Sequence, residues 1–293
     1  MKILININKY YSFYHYKMAN LNLKKFDMTK IGNGSIIILV GKRNTGKSFL
    51  VQDLLYYKRD IPIGTVISAT ENSNRFYGDM MPSLFIHDEF SPEIVANLVK
   101  RQKIVVNKMK QQEALYGKSN IDPYAFLILD DLMYDAPAWI KDITIKQIFM
   151  NGRHFKLLFL ITMQFSLGIP PALRSNVDYV FILRENYVSN RRRLYEHYAG
   201  MFPTFEIFCQ VMNQCTENFE CLVIDNTCKS NKIEDMVFWY KADTHPPFKI
   251  GAPEFWQHHS NNYSEKNAED EDDDVDINTI KKKNSIAVNV RKY

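Results

Sequence analysis

The chain has 293 residues, 46% hydrophobic and 24% charged, enough to bury one full-sized α/β core, and it reads as one domain with tails. A net charge of +4 and a pI near 8.6 exclude an extreme polycation or polyanion, but acidic residues pile up at 269–276 (EDEDDDVD), so the body upstream is more basic and admits a polyanion partner. No run of about 18 apolar residues occurs, and residues 1–18 are too polar and tyrosine-rich for a secretory signal, so a soluble intracellular protein with no membrane-spanning segment is expected.

Residues 1–31 show no clean period and read as an extension before the core. Residues 35–40 (SIIILV) are a short, fully apolar run of the kind buried in a parallel sheet. After a glycine-rich turn, Phe49, Leu50, Leu54 and Leu55 recur at helical spacing; Pro62 and Gly64 then punctuate the chain before a second apolar strand at 65–70 (TVISAT). Residues 84–87 (LFIH) are a further strand candidate, and Ser91, Pro92 and Glu93 start a long amphipathic helix that runs to residue 116. The strand in 125–132 (AFLILDDL) ends in two aspartates, a helix is expected over 138–151, and strands over 157–162 (LLFLIT) and 177–183 (VDYVFIL). Two runs at 221–225 and 236–240, joined by a polar turn, suggest an antiparallel pair at the sheet edge.

Strands that alternate with helices and are apolar nearly throughout imply an α/β fold, a mostly parallel sheet covered by helices on both faces. The domain is expected over 32–257. The polar and charged residues 258–293 form a tail expected to be disordered. Cys209, Cys215, Cys221 and Cys228 include no CxxC pair, so reduced core thiols are expected rather than a zinc site.

Residues 41–48 read GKRNTGKS, the GxxxxGK[ST] form of a phosphate-binding loop, set between the first strand and the first helix. Glycine there lets the backbone N–H groups of Gly41, Lys42, Arg43, Asn44, Thr45, Gly46, Lys47, Ser48 and Phe49 converge on phosphate oxygens. They do so at a helix N-terminus whose partial positive charge favours anions. Lys47 would reach the β and γ phosphates, and the Ser48 hydroxyl would ligate Mg²⁺. Such a site also needs a carboxylate on a nearby strand for the metal and a second group to orient water; Asp130 and Asp131 fill those roles, in that order. Gln164, at the end of the following strand, is placed to sense the γ phosphate. A cation that neutralises developing charge, often donated by a neighbouring subunit, could be Arg153, Arg174 or Arg184. ATP and Mg²⁺ are the cofactors this set calls for.

Taken in order, GKRNTGKS, TVISATENSNRFYGDMMPS, AFLILDDL, IFMNGRHFKLLFLITMQF and IPPALRSNVDYVFILRE resemble the DNA-packaging ATPases of large nucleocytoplasmic DNA viruses, the poxvirus-type branch of the FtsK–HerA superfamily. The resemblance covers 34–250, and its NGRH, TMQ and LRSNVDYVFILRE stretches are not generic to phosphate-loop proteins. It implies a RecA-like ATPase that assembles into a homo-oligomeric ring and pumps double-stranded DNA into a capsid. Capsid or portal proteins would be partners, and the site of action would be the virus factory in the infected-cell cytoplasm, and the virion. Residue by residue, it makes Gly41 to Ser48 the phosphate loop, Asp130 the metal carboxylate, Asp131 the catalytic acid and Gln164 the sensor. An arginine finger is implied without being assigned to one arginine.

A motor that moves along any sequence needs contacts to backbone phosphates rather than to base edges. Arg191, Arg192 and Arg193, beside Asn190 and Tyr195, form the densest basic cluster of the core; Lys100, Arg101, Lys103, Lys108 and Lys110 form a second. Two alternatives stay open. A small-molecule or nucleotide kinase also begins with a phosphate loop, but no lid motif is visible. A nucleotide-binding virion scaffold would not need the intact Lys47, Asp130 and Asp131.

Overall fold

A computed structural model describes residues 21–166 and 168–262. Its strands are β1 (Lys24–Lys25), β2 (Ile36–Val40), β3 (Gly64–Ser68), β4 (Ile86–His87), β5 (Ala125–Asp130), β6 (Leu157–Met163), β7 (Tyr179–Ile182), β8 (Glu220–Asp225) and β9 (Val237–Lys241). They form one sheet in the order β1-β9-β8-β7-β2-β6-β5-β3-β4. The longer helices are α1 (Lys47–Tyr57), α2 (Pro92–Tyr116), α3 (Ala136–Lys141), α4 (Ile143–Asn151), α5 (Val188–Tyr198), α6 (Phe205–Cys215) and α7 (Pro253–Asn262).

The central strands are apolar on both faces because both faces are covered. In β2, Ile36, Ile38 and Val40 pack into one cluster with Leu98 and Val99 of α2, Trp139 of α3, Ile145 and Phe149 of α4, Leu194 of α5, and Phe208 of α6. Ile37 and Leu39 point the other way, against Leu50, Leu54 and Leu55 of α1 and Phe255 of α7. Period-two alternation thus splits a uniformly apolar run between two cores. β2 pairs in parallel with both β6 and β7, β6 with β5, and β5 with β3. The carboxyl ends of these strands therefore line one edge of the sheet, the usual ligand edge of such folds.

Three elements depart from the sequence reading. The helix expected over 138–151 is two helices, because the Asp142 carboxylate caps a new start by accepting from Ile145 N at 2.8 Å. The run at 236–240 does pair antiparallel with β8, but it is not the sheet edge: β1 lies beyond it, in parallel. Residues 21–31 are accordingly part of the packed fold rather than an extension. Phe26, Met28 and Ile31 are buried, and the Phe26 ring meets Tyr179, Phe181 and Phe238 edge-on at 5.6–5.7 Å. At the other end, residues 258–262 complete α7, while the acidic run and lysine-rich end of the tail lie outside the described residues. Among the described residues, no helix is long and apolar enough to cross a membrane.

Candidate nucleotide site

The loop of residues 41–46 leaves β2 at the carboxyl edge and feeds α1 directly. Gly41 N donates to Met163 O at 2.9 Å, and a Cβ at Gly41 would lie 2.6 Å from Leu183 Cδ1 and 2.8 Å from Thr45 Oγ1, so a larger residue there would have to displace both side chains. The Thr45 hydroxyl closes the turn on Lys42 O at 2.7 Å. Asn44 and Gly46 take positive φ, 61° and 95°, and Gly46 caps α1 without a side-chain hydrogen bond to its first N–H groups. Arg43, Asn44, Ser48 and Phe49 are exposed along the loop and the first turn of α1.

β6 lies between the loop strand β2 and the acid strand β5. Asp130 ends β5, accepting from the Thr162 hydroxyl of β6 and from the Ser68 hydroxyl of β3 at 3.2 Å. The Asp131 backbone N–H in turn donates to Thr162 Oγ1 at 3.1 Å. Gln164 Nε2 donates to Asp131 Oδ2 at 2.6 Å, and Lys47 Nζ lies 3.7 Å from Asp131 Oδ1. That Oδ1 is buried and, among the described residues, faces the Lys47 ammonium without a hydrogen bond. Lys47 is thus brought together with Asp130, Asp131 and Gln164, which lie more than 80 residues further along the chain.

Close to Asp130 lies Tyr77, only 1% exposed, whose hydroxyl meets no partner of full hydrogen-bond geometry among the described residues. Burial, and then the charge of Asp130, hold that hydroxyl well above the ordinary tyrosine range, so it stays protonated. Sequence reasoning missed Tyr77, since nothing in its spacing marks a tyrosine near a carboxylate. It also missed Glu185 and Tyr187 after β7. Lys42 Nζ pairs with buried Glu185 Oε1 at 2.5 Å and stands 3.6 Å over the Tyr187 ring. Glu185 also accepts from Tyr187 N and Asn190 Nδ2, and its backbone carbonyl accepts from Arg191 Nε at 2.5 Å. The phosphate loop is therefore tied to the start of the basic helix α5.

The arginines separate. Arg153 is not near the loop: it pairs with Asp178, whose other carboxylate oxygen accepts from Ile36 N, at the opposite end of β2. Arg174 donates to Ile169 O at 3.2 Å and sits 6.0 Å over the Tyr198 ring. Arg184 is exposed just past β7, on the loop's edge of the sheet. In α5, Arg191 is engaged with Glu185 O, Arg192 stacks over Phe205 at 4.2 Å, and Arg193 is exposed. On α2, Arg101 donates to Gln102 Oε1 at 2.5 Å and Lys103 sits over the Phe155 ring at 5.4 Å, while Lys100 and Lys108 are exposed.

A phosphate-type loop leaving a central parallel strand, with an acid pair two strands away and helices on both faces, defines the RecA-like P-loop NTPases, and the chain has that fold. No protein-family model matches it. It is 39% identical over 275 residues to the uncharacterised protein L437 of Acanthamoeba polyphaga mimivirus, covering 92% of this chain and 96% of that one. With the uncharacterised protein 075L of Invertebrate iridescent virus 6 it shares 40% identity over 253 residues, 85% of this chain and 93% of that one. The chain belongs to the family that these proteins of large DNA viruses define. Among solved structures it is similar to the genome packaging NTPase B204 of Sulfolobus turreted icosahedral virus 2 in complex with AMP, with a TM-score of 0.46 and 14% identity over 73% of this chain and 100% of that one.

Proposed function

We propose that this protein hydrolyses ATP to move double-stranded viral DNA into a capsid, working as a homo-oligomeric ring with a capsid or portal partner, in the virus factory and the virion. The observation that carries the reading is the convergence of Lys47 and Gln164 on Asp131, beside an Asp130 held by two hydroxyls. In this reading these four groups surround the γ phosphate of a nucleotide held in the loop.

In this reading the N–H groups of Gly41 to Phe49 cradle the phosphates, and Lys47 leaves Asp131 for the β and γ oxygens. Once Lys47 has moved, the Asp131 Oδ1 that it faced orients the attacking water, with Gln164 steadying the opposite oxygen. Gln164 can also turn between Asp131 and a γ phosphate, which is what a sensor requires. The donor set fits Mg²⁺, which takes one or two carboxylate or hydroxyl oxygens beside water and phosphate; Ser48 and Asp130 would hold it. When bound it would neutralise charge on the β and γ oxygens. The family's distribution among large DNA viruses and the packaging-type motifs support DNA as the cargo. Non-specific grip on backbone phosphates is assigned to the cations of α5, with α2 as the second surface.

Turnover of ATP by the purified chain should rise when linear duplex DNA is added, and Lys47→Ala should lower it by at least about 100-fold, the scale of losing one preorganised charge in such a site. Turnover that ignores both duplex DNA and Lys47→Ala would sink the motor reading.

A further inference from the structure

The site is polar across the sheet. The acids and Gln164 lie at the ends of β5 and β6, on one side of β2, so the γ end of a bound phosphate chain faces that side. The sugar and base must then leave toward the other side, over β7 and β8. β8 runs antiparallel to β7, with Ile182 opposite Leu222, so the start of β8 lies at the same edge as the loop.

Phe219 stands immediately before that start. Its ring lies against the loop's last glycine, with Cδ1 3.3 Å from where a Gly46 Cβ would be, yet the residue is 64% exposed. Asn218 and Phe219 both have positive φ, 50° and 65°, in a turn closed by Glu220 N donating to Glu217 O at 2.8 Å. Turns with two left-handed centre residues take asparagine or glycine at low cost, and a bulky aromatic there is an outlier. Packing does not explain it, because most of the ring is in water. Outliers of this sort gather at ligand sites, where a partner offsets the strain.

We infer that Phe219 is the stacking platform for the base of the bound nucleotide. This rests on the loop being a nucleotide site. Aromatic stacking reads the π face and not the base edge, so the platform accepts any nucleobase and favours the larger face of a purine.

The test measures binding of ATP and of inorganic tripolyphosphate, which has the phosphates and no base, to wild type, Phe219→Ala, Phe219→Leu and Phe219→Trp. Phe219→Ala and Phe219→Leu should weaken ATP by about 5- to 150-fold, the loss of one stacked base. Tripolyphosphate should stay within about twofold of wild type in every variant, since its contacts are those of the loop alone. Phe219→Trp should keep ATP affinity. Unchanged ATP affinity in Phe219→Ala overturns the inference, and so does an equal loss of both ligands, which would make the ring a support for Gly46. If wild type binds tripolyphosphate tightly and ATP no better, the platform is lost while the phosphate site stands. Failure of wild type to bind either ligand removes the nucleotide site and the platform together.

Discussion

Asp131 holds a backbone conformation, φ 55°, that aspartate tolerates better than most side chains. The conformation turns the chain sharply after β5, so that Asp130 faces Ser68 and Thr162 while Asp131 faces Lys47 and Gln164. One hydroxyl keeps the two acids apart, because Thr162 Oγ1 donates to Asp130 and accepts from the Asp131 backbone. Asp131→Asn should keep this geometry, since asparagine is equally at home at positive φ, and remove only the charge. Steady-state phosphate release should fall by about 100-fold or more, the usual worth of a positioned base, while ATP affinity is retained. Turnover within threefold of wild type would assign water activation to another group.

At the scale of elements, α1 is anchored far from the loop it begins with. Asp53, fully buried on α1, accepts from the Tyr240 hydroxyl of β9 and contacts His245 Nε2, each at 2.5 Å, and Tyr56 stacks on His245 at 3.8 Å. Burial, and then the bond to Asp53, hold the Tyr240 hydroxyl far above its ordinary range, so it remains a donor. Asp53→Ala would strand that donor and leave a void. Each stranded group costs about 1–3 kcal/mol, and a melting temperature several degrees lower is expected in thermal unfolding; an unchanged melting temperature would mean the cluster is not holding α1. The sequence could not announce this tie. GKRNTGKS is legible because its geometry is local, and FLILDD because a strand carries it to the loop's edge. Asp53 and Tyr240 are 187 residues apart, and Phe219 meets Gly46 only through the order of strands, so no spacing encodes either contact. The break of α3 from α4 at Asp142 was readable as a capping residue but was outweighed by a continuous apolar period. The strand at 24–25 escaped notice because two lysines carry no strand pattern.

The whole molecule has a nucleotide edge and an opposite edge, separated by the length of β2, about 16 Å at some 3.3 Å per residue. Arg153 belongs to the opposite edge. Its guanidinium pairs with Asp178, whose side chain is 4% exposed, and removing it would leave that carboxylate, among the described residues, with the Ile36 N–H. An arginine so committed is costly to lend to a neighbour. Arg174 differs: it has no carboxylate partner among the described residues, only Ile169 O and the Tyr198 face, so its charge is free for a subunit packed alongside. The ring reading then makes a sharp demand. A subunit carrying Asp131→Asn can still donate a finger, and one carrying a finger mutation can still hold a working site. Mixing two inactive preparations, Asp131→Asn and Arg174→Ala, should therefore restore part of the DNA-stimulated ATPase, because some interfaces join an intact acid to an intact arginine. The same mixture made with Arg153→Ala should gain nothing from such interfaces, and Arg153→Ala alone should lower thermal stability instead. Rescue by Arg153→Ala with none by Arg174→Ala would reverse the assignment, and absence of rescue by either would place the neutralising cation within the subunit, with exposed Arg184 on the loop's own edge the remaining arginine to remove.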